Sequence, residues 1–233
     1  MSDINPYKLD KLRLPFKGSD DTEFYYSSSG QDLLVLCLLD GVHRGRYLEL
    51  GSGRPVAHNN TYLLESKYNF TGLGIDVDKD LVDLYNKIRY NKAVLGDAKY
   101  FNFKDAIYNL GWRLNEPIDY VSIDCDPSIN SSVTTAKRSN ESFHALCNLL
   151  LQGLVFKIIT FEHDCYRYFD IVKNRSRKVL ESFGYQMVAK GVIDSRGFEF
   201  EDWWINPNYI NKNRASIIYS ENKIWNDIIF KYR

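Results

Sequence analysis

The chain has 233 residues, 44% of them hydrophobic, with 30 basic and 30 acidic side chains and a formal net charge of zero. That composition excludes intrinsic disorder and is enough for one α/β domain with a full core. The balanced charge excludes a protein devoted to bulk nucleic-acid binding, though not a local basic patch, and no apolar run of about eighteen residues is present to span a membrane.

Residues 1–25 are mostly polar, carry Pro6, Pro15 and Gly18, and read as an arm lying across the single domain that follows, residues 26–233. Leu33–Leu39 is a buried helix, and Gly41 and Gly45 bracket the turn into a first strand, Arg46–Leu50. Gly51-Ser52-Gly53 ends that strand in a tight turn. Tyr62, Leu63 and Leu64, up to Tyr68, have helical spacing, and Leu73–Asp76 is a second short strand. Leu81, Leu84 and Ile88 place a helix before a third strand, Lys92–Leu95, which ends in Gly96-Asp97. A helical stretch follows through Tyr108. Ile118–Asp124 is the clearest strand, and Ser128–Thr135 starts a helix running to about Leu151. Val155–Phe161 is a fifth, buried strand ending in Glu162-His163-Asp164. The helix Tyr166–Phe183 turns Lys173, Arg175, Arg177 and Lys178 to solvent, and Gly184 caps it. Gln186–Val192 and Ala215–Tyr219 are the last strands, separated by an aromatic loop, Phe198–Tyr209.

Five strands alternating with helices imply a parallel sheet with right-handed crossovers, and two final strands without a helix between them imply a terminal hairpin. The expected fold is α/β and Rossmann-like: a mostly parallel seven-stranded sheet with a terminal antiparallel hairpin and helices on both faces. This is the layout of the class I methyltransferase fold, in which ligands sit outside the carboxyl ends of the strands. Cys37, Cys125, Cys147 and Cys165 are too scattered for a disulfide framework or a metal-ligand pair. The opening MSDINPYKLDKLR holds no apolar signal core, so a cytoplasmic location is expected.

The carboxyl ends of the first three strands define a ligand pocket. Glycine at positions 51 and 53 allows close backbone approach and positive φ. Asp76 follows the turn by about twenty residues, the spacing at which an acid meets ribose hydroxyls. Asp97 can accept from an exocyclic amine of a base. Glu49, Gly51, Gly53, Asp76 and Asp97 together fit an adenosine-like ligand. Pro55 stands where a dinucleotide fingerprint has its third glycine and offers no N–H to a pyrophosphate. A ligand without phosphates suits the turn, and S-adenosylmethionine is the one that fits.

The fourth and fifth strands end beside that ligand. A neutral imidazole can accept a proton, so His163 is the expected general base. Asp124 orients the acceptor or shares a metal, and with Glu162 or His163 offers a set that Mg²⁺ or Ca²⁺ favours. Adjacent strand residues face opposite ways, so Glu162 and His163 converge only if the strand has ended. Trp203 and Trp204 read equally as a stacking platform for the acceptor or as caps on the core.

Tyr26-Ser27-Ser28-Ser29-Gly30-Gln31-Asp32-Leu33, followed by Arg46-Tyr47-Leu48-Glu49-Leu50-Gly51, resembles the opening of FkbM-type methyltransferases. Asn60-Thr61-Tyr62-Leu63-Leu64-Glu65 with Phe70–Asp76 is similar to the next segment, and Ile118–Asp124 and Ile158–Asp164 to later strands. The resemblance covers Tyr26 to Pro207. It implies S-adenosylmethionine-dependent methyl transfer, usually to a hydroxyl of a sugar or secondary metabolite. It also implies that the Gln31 corner closes over the methionine end of the ligand; Thr61 is read either as a ligand contact or as a helix cap. Asp76 stands where the family often has Glu, and Cys125-Asp126-Pro127 stands where many members carry Glu-Gly, which leaves the acceptor class open. Two alternatives follow: an RNA ribose methyltransferase using Asp124, Lys157 and Glu162, and a catalytically silent S-adenosylmethionine-binding protein.

Overall fold

The computed structural model describes residues 6–125, 141–168 and 170–231. Two short strands, β1 (Tyr7–Lys8) and β2 (Phe24–Tyr25), pair near the amino terminus. The remaining strands are β3 (Arg46–Leu50), β4 (Thr71–Asp76), β5 (Lys92–Leu95), β6 (Ile118–Ile123), β7 (Phe156–Glu162), β8 (Gln186–Ile193), β9 (Glu199–Ile205) and β10 (Ser220–Glu221). They form one eight-stranded sheet in the order β10-β8-β9-β7-β6-β3-β4-β5. Only β9 runs antiparallel to its neighbours. The helices are α1 (Gln31–Leu38), α2 (Tyr62–Ser66), α3 (Lys79–Ile88), α4 (Phe103–Asn109), α5 (Glu141–Leu151), α6 (Cys165–Tyr168), α7 (Asp170–Ser182), α8 (Lys212–Ile218) and α9 (Trp225–Ile229).

The sheet divides two cores. On one face Tyr47, Tyr120, Ile158 and Trp203 pack against α1, α2, α8 and α9. On the other, Leu48, Val121, Ile159 and Trp204 pack against α4, α5 and α7. The two-residue period of each strand assigns these faces. The same period puts Glu49, Ser122, Glu162 and Glu201 on the α1 face at one end of the sheet.

The mostly parallel sheet with an antiparallel hairpin is present, but it has eight strands rather than the expected seven, and the hairpin, β8–β9, is followed by β10 rather than ending the sheet. Phe198–Tyr209 is not a loop; most of it is β9, inserted between β7 and β8. Trp203 and Trp204 are both 0% exposed, one in each core, so neither forms a stacking platform. Glu199, Glu201 and Asp202 disguised this strand, because a run of acids next to aromatics reads as surface. Ala215–Tyr219 is not a strand but part of α8, whose N-cap Asn211 accepts from the N–H groups of Asn213 and Arg214. Leu84 and Ile88 are exposed; the buried face of α3 is Val82 and Tyr85. The expected helix start at Ser128–Thr135, with Asp126, lies outside the described residues.

The sheet edge at β5 is closed by a side chain. Asn86 of α3 donates to the Ala93 carbonyl and accepts from the Ala93 N–H, both at under 3 Å, occupying groups that an edge strand otherwise leaves open. No helix among the described residues is long and apolar enough to cross a membrane.

Candidate active site

The chain leaves β3 for β4 on one side, while β6 lies on the other, so the strand order reverses between β3 and β6. A crevice outside the carboxyl ends opens at such a point. Gly51 and Gly53 sit there with φ of 76° and 53°. A Cβ on Gly51 would collide with the Asp124 carbonyl oxygen, so glycine is required by contact between β3 and β6 as well as by conformation. A Cβ on Gly53 would meet nothing closer than 3.9 Å, so that residue borders open space.

Asp76 ends β4. Its Oδ2 accepts from the Gly53 N–H at 2.8 Å and its Oδ1 from the Asp78 N–H at 2.9 Å. Two backbone donors thus fix the carboxylate, and each oxygen keeps a further lone pair for a ligand hydroxyl. Asp97, after β5, accepts from the Lys99 N–H, and its other oxygen lies 3.4 Å from Lys99 Nζ. Lys99 also pairs with Glu141 of α5.

Glu49 and Thr61 lie buried beneath this turn. Glu49 is 3% exposed, and its Oε2 accepts from Asn59 Nδ2 and Thr61 Oγ1. Burial pushes its carboxyl up to about 7, against the pull of Arg89. Thr61 is 0% exposed and occupies the N-cap position of α2, but its hydroxyl makes no cap hydrogen bond and accepts from Arg89 instead. Sequence reading missed the centre of this network. Arg89, 3% exposed at the end of α3, donates to Glu65, the Pro55 carbonyl, Asn59, Tyr47 and Thr61. Its guanidinium stacks 4.6 Å from the Tyr85 ring centre. The only signal was a basic residue in a helix C-terminal position, where cations usually serve the helix dipole.

On the β6 side, carboxyl groups converge. Gln31, at the start of α1, accepts from the Ser29 N–H and donates to Glu201 Oε2 at 3.2 Å. Trp203 Nε1 donates to the same oxygen at 2.5 Å. Burial, with Asp124 nearby, pushes Glu201 up to about 8 even though these donors oppose the shift. Glu162 is raised well above the ordinary glutamate range by burial and by the neighbouring carboxyls of Asp124 and Asp164. Asp124 is half-buried, and its N–H is held by the Leu50 carbonyl. Asn60 donates to Ser122 Oγ at the tip of β6.

His163 does not join this group. It is 0% exposed and lies on the α7 face, with Nε2 3.8 Å from Asp202 Oδ2 and 3.9 Å from Glu199 Oε1. The strand's alternation sends it opposite to Glu162, to the other face of the sheet. These three residues bring one ligand atom each within 4.8 Å of one another, the only such trio among the described residues. The carboxylates are already matched by cations: Arg177 grips Asp202 with two 2.8 Å hydrogen bonds, and Lys173 lies 3.2 Å from Glu199. The charge is balanced without an ion, and the cluster fastens α7 to β9. Half of the basic face expected on α7 is therefore internal: Lys173 and Arg177 are paired, while Arg175 and Lys178 are exposed. Lys157 lies at the amino end of β7 and pairs with Asp119 at 2.7 Å, far from Asp124 and Glu162 along their strands. Lys157 therefore does not join Asp124 and Glu162.

Glu201 gives a sign to stability. A buried carboxyl that binds its proton near pH 8 and releases it near 4.3 when unfolded makes the native state hold the extra proton in between. Its contribution should fall as pH rises from about 4.3 to about 8 and level off above. Glu201→Gln should therefore gain stability over the parent by a few kcal/mol between about pH 5 and about pH 8.5. Parallel thermal melts check this; a difference that does not grow with pH rules out the buried-acid assignment.

No family model and no curated protein sequence matches the chain. Many solved structures are similar, two of them over about four-fifths of both chains. One is the O-methyltransferase from Bacillus cereus in complex with SAH, at a TM-score of 0.51 and 13% identity, covering 78% of this chain and 82% of that one. The other is cofactor-bound Rv0187 from MTB, at a TM-score of 0.51 and 13% identity, covering 78% and 81%. With the strand order above, these likenesses give the chain the class I methyltransferase fold.

Proposed function

We propose that the protein is an S-adenosylmethionine-dependent methyltransferase, related to the FkbM type, that methylates a hydroxyl of a sugar or small metabolite. The observation that carries this reading is the tip of β4. There Asp76, oriented by Gly53 and Asp78, faces the reversal of strand order beside an open glycine turn. The donor set fits an adenosyl ligand: the ribose on Asp76, the base beside Asp97, and the backbone of residues 51–53 against the remainder. S-adenosylmethionine, when bound, supplies an electrophilic methyl group.

The chain's own residues do the rest. Gln31 and Asn60 border the crevice from α1 and the start of α2. Glu162, at the carboxyl end of β7 beside Asp124 and Asp164, in its ionised form takes the acceptor's hydroxyl proton as the oxygen attacks. Asp124 orients that hydroxyl. The acids also favour a cationic ligand next to them. A cytoplasmic location fits the four free cysteines.

Titration with S-adenosylhomocysteine tests the reading. Asp76→Ala removes two hydrogen bonds to a charged acceptor, each worth roughly 1.5–3 kcal/mol, so affinity should fall by well over tenfold with the fold intact. Unchanged affinity in that variant would remove the ribose assignment. A methyl-release assay over sugars and small hydroxylated metabolites separates an enzyme from a silent binding protein.

A further inference from the structure

The cofactor turn is held from below by one amide. Asn59 is 2% exposed. Its Nδ2 shares two N–H groups among three acceptors, the carbonyls of Ser52 at 3.1 Å and Arg54 at 3.0 Å and Glu49 Oε2 at 3.1 Å. Its Oδ1 accepts from the Thr61 N–H at 3.0 Å and from Arg89 Nη1 at 2.9 Å. The two carbonyls it grips flank Gly53, whose N–H points the other way, to Asp76 Oδ2. Three consecutive residues thus alternate: carbonyl down to Asn59, N–H across to Asp76, carbonyl down to Asn59.

We propose that Asn59 is a positioning residue for adenosyl-ligand binding, locking residues 52–54 so that Gly53 aims the Asp76 carboxylate at the ligand. The role rests on the cofactor reading above. Without the amide, two carbonyl oxygens lose their donor, the turn is free to rotate, and Asp76 loses the N–H that orients it. Arg89 buttresses the arrangement by holding Asn59 Oδ1 and the Pro55 carbonyl with one nitrogen. The ionisable groups around the amide are Glu49 on β3, Arg89 at the end of α3, Glu65 on α2, Tyr47 on β3 and Tyr85 on α3.

Asn59→Asp distinguishes positioning from mere support. A carboxylate keeps the acceptor side toward Arg89 and Thr61 but turns oxygen lone pairs on the Ser52 and Arg54 carbonyls. A protonated carboxyl can again donate one hydrogen bond. By calorimetry, S-adenosylhomocysteine should bind this variant at least about tenfold more weakly than the parent at about pH 8, with the ratio shrinking several-fold by about pH 5.5. Asn59→Ala should lose a similar factor at both pH values. Equal affinity of both variants and parent, or a loss in Asn59→Asp that is the same at both pH values, overturns the proposal. If Asn59→Asp does not fold, Asn59→Ala decides alone, and an affinity within about threefold of the parent overturns it. A parent protein that binds no S-adenosylhomocysteine overturns the cofactor reading itself, and the positioning role with it.

Discussion

Replacing Arg89 by methionine should lower the unfolding free energy by about 3–5 kcal/mol, the range found when one partner of a buried ion pair is removed. Arg89 pairs with Glu65 at 2.8 Å, with 0% and 9% of their side chains exposed. It also supplies donors to Tyr47, Asn59, Thr61 and the Pro55 carbonyl. Methionine fills the space but takes the guanidinium's donors from these acceptors, and leaves Glu65 without its cation. Burial raises the Glu65 carboxyl, but its hydrogen bond and charge contact with Arg89 bring it below the usual glutamate value. The pair's contribution is therefore complete above the unfolded carboxyl pKa of about 4.3 and fades as pH falls through the lower native value. The deficit of Arg89→Met should shrink in acid. Urea unfolding at about pH 7 and about pH 4 measures both statements. A loss below about 1 kcal/mol at neutral pH means that the network contributes little. Arg89→Lys should not rescue it, because an ammonium cannot present donors in the directions that the planar guanidinium does.

Glu162→Gln should reduce turnover by roughly 10²–10⁴-fold, the contribution of a positioned general base. Glutamine keeps the size and can hydrogen-bond to Asp124 and Asp164 but cannot take the proton. S-adenosylhomocysteine affinity should stay within about threefold, since the β4 and β5 tips that hold the adenosyl group are untouched. The matching control is His163→Gln, which alters the Asp202–Glu199 cluster on the other face of the sheet. It should change stability more than turnover. Full turnover in Glu162→Gln, or a larger loss in His163→Gln than in Glu162→Gln, would move the base away from Glu162.

The sequence by itself determined the strands that alternate with helices and the tips that face the crevice. Arg46–Leu50, Lys92–Leu95 and Ile118–Ile123 were legible because a strand covered on both faces is a short apolar run. Gly51, Gly53 and Asp76 were legible because a strand followed by a glycine turn, and an acid at the end of the next strand, is a local pattern with a local physical cause. Tertiary structure alone decided three things. It decided that Glu199–Ile205 is a strand, because the apolar faces of Trp203 and Trp204 find cores only when β7 and β8 lie on either side. It decided which way Glu162 and His163 point, because that depends on where the β7 ladder with β9 stops, and sequence spacing carries no such stopping point. And it decided that Glu49 and Thr61 support the turn, because Arg89 and Asn59, distant from each other in sequence, meet beneath it. A buried cation satisfied by five partners is invisible until the chain has folded around it.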